Sequence, residues 1–185
     1  MSETFSVVFA MLTPSFRSIL VVGALVIVGL IEAGCGGAGK DGSSQAVKGN
    51  GFSFEAPGGW EVARTGRRVS AGGGGPALVS VDVIPLVRPY RPSLFTRVTA
   101  ELDRVARDVA NGLAKRCDCD ATVTASRTVT VDGMRARQYD LRYGDLVQEQ
   151  TFVLDDRREY LLTCRRKVNA DRDACALLTA SFRLT

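Results

Sequence analysis

From about residue 51 onward, hydrophobic positions recur with two different periods, and the switches between them divide the chain into strands and helices. Phe52 and Phe54 alternate with Ser53 and Glu55, Pro57-Gly58-Gly59 interrupts, and Trp60-Glu61-Val62-Ala63 resumes the alternation. That spacing predicts strand, turn, strand. Residues 67–70 predict another short strand. Residues 77–85 predict a buried one, with Val79, Val81 and Val83 on one face and Leu78 and Ile84 on the other. The period then lengthens. Leu94, Val98, Leu102, Val105, Val109 and Leu113 recur at steps of three or four, while Arg97, Glu101, Arg104 and Asp108 fall on the opposite side. This is an amphipathic helix, expected to be capped by Ser93 and to stop near Gly112, with Lys115 and Arg116 at its negative end.

After Asp120 the period returns to two. Thr122, Thr124, Ser126, Thr128 and Thr130 share one face, Val123, Ala125, Val129 and Val131 the other, and Asp132-Gly133 supplies a two-residue type I′ turn. The return strand, residues 134–143, sets Tyr139, Leu141 and Tyr143 opposite Met134 and Ala136, so both faces of the sheet are expected to be covered. A second hairpin joins residues 149–154 to 160–165 around Asp155-Asp156-Arg157-Arg158. A short helix over residues 170–179, capped by Asp171 or Asp173, turns Ala174, Leu177 and Leu178 inward. The order predicts an α+β fold in which an antiparallel sheet of about six or seven strands is sandwiched by one long and one short helix.

The first 50 residues have another character. Residues 19–31 are uncharged and apolar and follow Arg17, a length that suits the hydrophobic region of a secretory signal better than the ~20 residues of a spanning helix. The run closes on Gly-Leu-Ile-Glu-Ala-Gly-Cys, with the small residues Ala33 and Gly34 directly before Cys35. This resembles the lipobox of bacterial lipoproteins, although Glu32 stands where Leu is usual. The resemblance implies that residues 1–34 are a signal peptide and that Cys35 becomes the acylated N-terminus, anchoring the protein on the extracytoplasmic side of the cell membrane. An uncleaved anchor reaching back through Phe9 and Leu12, or plain secretion, are the alternatives; all three place the remainder outside the cytoplasm. Met11, directly before Leu-Thr-Pro-Ser-Phe-Arg, is the expected start. Residues 35–50, rich in Gly and small polar types, are expected to be a flexible tether, and residues 51–185 one folded domain.

Charge changes this picture little. The chain has 24 Lys and Arg against 20 Asp and Glu, a formal net charge of +4. Apart from Lys40, Lys48, Lys115 and Lys167 the bases are arginines, interleaved with acids and forming no long basic block, so no nucleic-acid partner is indicated. Cysteines say more. An even set, Cys117, Cys119, Cys164 and Cys175, in an exported domain predicts two disulfides. Cys164 to Cys175 is the favoured pair because it joins a strand end to the start of the last helix, leaving Cys117 with Cys119 in a small ring that is more easily reduced. Crossed pairing stays open. A zinc site lacks paired Cys-x-x-Cys knuckles. A redox role for Cys-Asp-Cys is opposed by Asp118 and Asp120, which raise thiol pKa values.

Catalytic residues are not apparent. The chain has no histidine, no Walker loop and no dinucleotide fingerprint. Its paired aspartates each fit a loop, turn or cap, and the glycines at 72–75 fit a hairpin loop rather than a phosphate cradle. No catalytic residue, metal or cofactor is therefore assigned. The one candidate contact surface is the loop Arg88-Pro89-Tyr90-Arg91-Pro92, where Arg88, Tyr90 and Arg91 combine guanidinium and aromatic groups on a backbone stiffened by proline.

Two segments carry a family resemblance. Phe-Ser-Phe-Glu-Ala-Pro-Gly-Gly-Trp at 52–60 resembles the opening of PsbP-like proteins, the photosystem extrinsic proteins together with small lipoproteins of high-GC bacteria. Tyr160-Leu-Leu-Thr-Cys164 with Ser181-Phe182-Arg183-Leu184 is similar to their close. Over residues 51–185 the resemblance implies that fold and a binding or assembly role. The expectation is a lipid-anchored, non-catalytic envelope protein whose partner is a protein, lipid or glycan. An envelope thiol-disulfide or hydrolytic enzyme is the alternative.

Overall fold

The computed structural model describes residues 42–185. Five strands come first: β1 (Ser44–Gly49), β2 (Phe52–Pro57), β3 (Glu61–Thr65), β4 (Arg68–Gly72) and β5 (Leu78–Pro85). The long helix α1 (Phe95–Cys117) follows, then β6 (Ala121–Val131), β7 (Met134–Tyr143), β8 (Leu146–Asp155) and β9 (Arg158–Lys167), and finally α2 (Asp173–Ser181) and β10 (Arg183–Leu184). The strands form a seven-stranded antiparallel sheet in the order β3-β4-β5-β9-β8-β7-β6 and a three-stranded sheet in the order β1-β2-β10.

Two hydrophobic clusters lie on opposite faces of the large sheet, because odd and even residues of a strand point opposite ways. On one face Tyr139, Leu141, Tyr143 and Phe152 pack beneath Leu102, Ala106, Ala110 and Leu113 of α1. On the other, Val79, Val81, Val153 and Leu162 meet Val47, Phe52, Phe54 and Ala56 of the small sheet, with Cys175, Leu178 and Phe182 closing the cluster. Phe52 and Phe182 stack while Tyr160 meets both edge-on. At ~25 cal/mol per Å² of apolar surface removed from water, each of these aromatic rings contributes ~2–3 kcal/mol.

Strand β6 feeds both clusters through one irregularity. The sequence alternates without a break, yet the β6–β7 register shifts between Val123, opposite Leu141, and Ala125, opposite Asp140. The extra residue, Thr124, inverts the parity of the strand. Ala121 and Val123 therefore lie in the cluster under α1, and Val129 and Val131 in the cluster under the small sheet. Asp132 and Gly133 have φ of 49° and 74°, the backbone that the Asp-Gly pair predicts for a type I′ turn.

Four boundaries differ from expectation. Residues 44–49, read as tether, form β1: Val47 is 2% exposed and pairs with Phe54, so a single buried side chain and a backbone ladder hold a strand too short to show a period. Ser93 does not cap α1, which is preceded by a 3-10 turn, Pro92–Leu94, and receives no side-chain cap bond. The helix also runs past Gly112 to Cys117, where Asp118 adopts the left-handed conformation and its N–H closes on the Ala114 carbonyl. Burial of Leu113 outweighs the ~1 kcal/mol that a helical glycine costs. The short helix starts later than expected, at Asp173, with the Asp171 carboxylate accepting from the Asp173 N–H.

Candidate functional site

The loop between β5 and α1 is hydrogen-bonded to its neighbours. Leu86 N donates to Arg157 O at 2.8 Å and Tyr90 N donates to Asp156 O at 2.6 Å, so the segment bearing Arg88, Tyr90 and Arg91 is fastened to the β8–β9 turn. One strand-end away, Val83 N donates to Arg67 O at 3.1 Å, which ties the β3–β4 turn to the same rim. Arg88 and Arg91 are exposed. Tyr90 is half-buried, and burial raises its phenol pKa while Arg135 opposes that shift. Part of its ring is therefore used by the domain's own packing. Arg135 in turn lies 4.1 Å over the Phe95 ring.

This loop sits at the end of the sandwich opposite the one where the described chain begins. Ser44 pairs with Pro57, and the Gln45 side-chain amide donates to Pro57 O and Trp60 O, which sets β1 beside the start of β3. Residues 72–76 share that end: a Cβ on Gly73 would lie 2.5 Å from the Trp60 ring, so glycine is what lets the indole close against the loop. Gly73 thus serves as a packing surface, while Gly74 and Gly75, with φ of 83° and 58°, turn the loop. Pro85 and Arg158, paired across β5 and β9, mark the other end. A shallow cavity of about 240 Å³ opens there, lined by Gly51, Asp155, Asp156, Arg158, Tyr160 and Thr185.

A charge network that the sequence reading did not single out lies on the sheet face beside α2. Glu149, 6% exposed in its side chain, accepts from Arg172 Nε at 2.8 Å and from Arg172 Nη2 at 2.7 Å. Arg127 grips Asp140 through two bonds of 2.8 and 3.1 Å and also donates to Gln138, which donates to Thr151. Arg127 and Arg166 each stand 3.9 Å from Glu149. These residues are far apart in the chain and meet because Asp140, Glu149 and Cys164 are register partners across β7, β8 and β9. The arrangement holds α2 to the sheet: Arg172 directly precedes the helix, and the Glu149 pairing raises the Arg172 pKa further.

On the α1 face, Tyr139 donates to Asp103 at 2.6 Å and Arg137 Nη2 donates to the same oxygen at 3.1 Å. Burial, then the bond to Asp103, pushes the Tyr139 phenol strongly upward, so it stays a neutral donor. Burial alone would raise Asp103, but the bonds from Tyr139 and Arg137 bring it below its ordinary value. The pair docks helix to sheet.

The four cysteines are paired as two bridges. Cys164 and Cys175 sulfurs are 2.00 Å apart, and those of Cys117 and Cys119 1.98 Å. The first is buried between β9 and α2, the second exposed at the end of α1. Among the described residues no group of three or more Cys, Asp or Glu side chains is placed to hold a metal ion, and no helix is long and apolar enough to cross a membrane. Cys35 and the signal-like segment lie outside the described residues.

The fold is PsbP-like. The chain superimposes on the solution structure of the cyanobacterial PsbP protein, CyanoP, of Synechocystis sp. PCC 6803 with a TM-score of 0.58 at 17% identity, over 83% of this chain and 99% of that one. A crystal structure from Bacteroides thetaiotaomicron aligns at a TM-score of 0.46 and 8% identity, over 73% of this chain and 45% of that one, too remote to carry an argument. No family model matches the chain. No curated protein matches it.

Proposed function

We propose that this chain is a lipid-anchored, extracytoplasmic envelope protein whose PsbP-like domain binds or helps assemble a partner and performs no catalysis. The observation that carries the reading is the fastened loop. Arg88, Tyr90 and Arg91 stand on a hydrogen-bonded rim at the end of the sandwich away from Ser44, where β1 begins. A rigid backbone presenting arginine and tyrosine offers contact area at low ordering cost.

Lipid anchoring at Cys35 is compatible with that role. Eight residues, 36–43, separate Cys35 from β1, a reach of at most ~28 Å when extended, enough to hold the domain close to a membrane. The charged groups with the strongest geometry, Glu149 with Arg172 and Asp103 with Tyr139, support elements of the fold, and none of them lines the cavity at the rim.

Replacing Arg88, Tyr90 and Arg91 together by alanine tests the reading. Capture of a cross-linked partner from intact cells should be lost while the melting temperature changes little. Undiminished capture by a folded triple variant would place binding on another surface.

A further inference from the structure

The rim that holds the candidate loop is basic well beyond the three residues that the sequence points to. The β3–β4 turn brings Arg67 and Arg68, the β5–α1 loop Arg88 and Arg91, and the β8–β9 turn Arg157 and Arg158, all exposed. Backbone bonds link the three segments in series: Val83 to Arg67, Leu86 to Arg157 and Tyr90 to Asp156. The acids on these same segments are Asp82, Asp155, Asp156 and Glu159, and Asp132 stands beside them, accepting from the Leu184 N–H. Asp82 is taken up by Arg68 at 2.7 Å. The side chains of Arg67, Arg91 and Arg157 form no ion pair among the described residues. Three separate turns therefore present guanidinium groups on a common edge, where neighbouring strands stand ~4.8 Å apart.

We infer that this rim is a docking surface for an acidic segment of a partner protein, with Arg67, Arg91 and Arg157 pairing to its carboxylates. The inference rests on the binding role proposed above and gives it a site and a partner chemistry. Guanidinium forks match carboxylates and phosphates alike through two parallel bonds. One feature favours carboxylates on a protein: Asp155 and Asp156 stand between the arginines of the rim and would repel the dense charge of a phosphate polymer more than that of an extended peptide, whose successive carboxylates point to opposite sides.

The test uses the full chain and three probes. A ten-residue polyglutamate peptide, a polyphosphate of similar charge and a neutral polyglutamine peptide are titrated at low and at physiological salt, with binding read by fluorescence anisotropy. The account expects saturable polyglutamate binding that weakens with salt and exceeds polyphosphate binding. The R67E/R91E/R157E variant should lose at least about tenfold in affinity. A variant of matched charge change at the opposite end, K115E/R116E/R142E, should bind like the parent, and melting curves verify that both variants are folded. Unchanged binding by the rim variant, equal loss in both variants, or tighter binding of polyphosphate would each overturn the inference. If polyglutamate fails to bind while the domain still captures a partner in cells through Tyr90 and its neighbours, this inference falls and the binding role stands.

Discussion

Glu149 and Arg172 face each other through two bonds of 2.8 and 2.7 Å, one partner buried at the centre of the sheet and the other just ahead of α2. The pair converts a register coincidence into a clamp, because Glu149 is also the cross-strand neighbour of Cys164. One ion pair and one disulfide thus attach the same short helix to two neighbouring strands, β8 and β9 respectively. Arg172→Ala leaves Glu149 with Arg127 and Arg166 at 3.9 Å. Since the Arg172 side chain is 55% exposed, the loss should be ~1–2 kcal/mol rather than the ~3–5 of a fully buried pair. Urea unfolding at neutral pH measures it, and Glu149→Ala should cost at least as much, because it removes a buried side chain and both Arg172 bonds while Arg127 keeps Asp140 and Gln138.

The two disulfides should differ in worth. Removing Cys164–Cys175, which closes an 11-residue separation, is expected to cost roughly 3 kcal/mol, and removing Cys117–Cys119, two residues apart, under about 2. Mild reductant should open the exposed pair first. Peptide mapping without reduction checks the pairing directly, and a peptide joining Cys164 to Cys117 or Cys119 would refute it.

Glu159 gives the domain a pH dependence. Burial beside its cross-strand neighbours Ile84 and Leu154 raises its carboxyl pKa to about 7. The folded state therefore holds a proton that the unfolded chain has released between pH ~4.5 and 7, so stability falls as pH rises through that window. Glu159→Gln should remove the dependence. At pH 8 the variant is expected to gain about 1 kcal/mol, less than the ~3 that the full shift would imply because the residue is only half-buried, and at pH 4 almost nothing.

If Cys35 carries the lipid, Cys35→Ser should leave an unprocessed precursor or release the domain from the membrane fraction. Mass spectrometry of the mature N-terminal peptide is the check. A peptide beginning upstream of Cys35 and bearing no diacylglyceryl group on it would show that the lipobox resemblance misleads.

What the sequence makes legible depends on how local the cause is. The β6–β7 hairpin is plain because Asp132-Gly133 and the Thr/Val alternation act over neighbouring residues. The bulge at Thr124 leaves no trace in that alternation, because it changes which cluster a valine joins and not whether it is buried. β1 escapes because Val47 is its one fully buried side chain and its pairing partner lies across a turn. The charge clamp escapes because register brings it together, although one signal was available: Arg127 falls between Ala125 and Val129 on the inward face of β6, where a charge demands a partner. The candidate loop was legible from composition, but its bonds to Asp156 and Arg157, which join it to a wider basic rim, were not.

The central claim, that the rim formed by the β3–β4 turn, the β5–α1 loop and the β8–β9 turn is where this protein binds, is tested most directly by site-specific photo-crosslinking in intact cells. A photoreactive residue replaces Tyr90 in one strain and Lys115, at the opposite end of the domain, in another. The account predicts a discrete adduct from position 90 that disappears in the R67E/R91E/R157E background, and none from position 115. An adduct formed only from position 115, or one at position 90 that survives the arginine reversals, would contradict it.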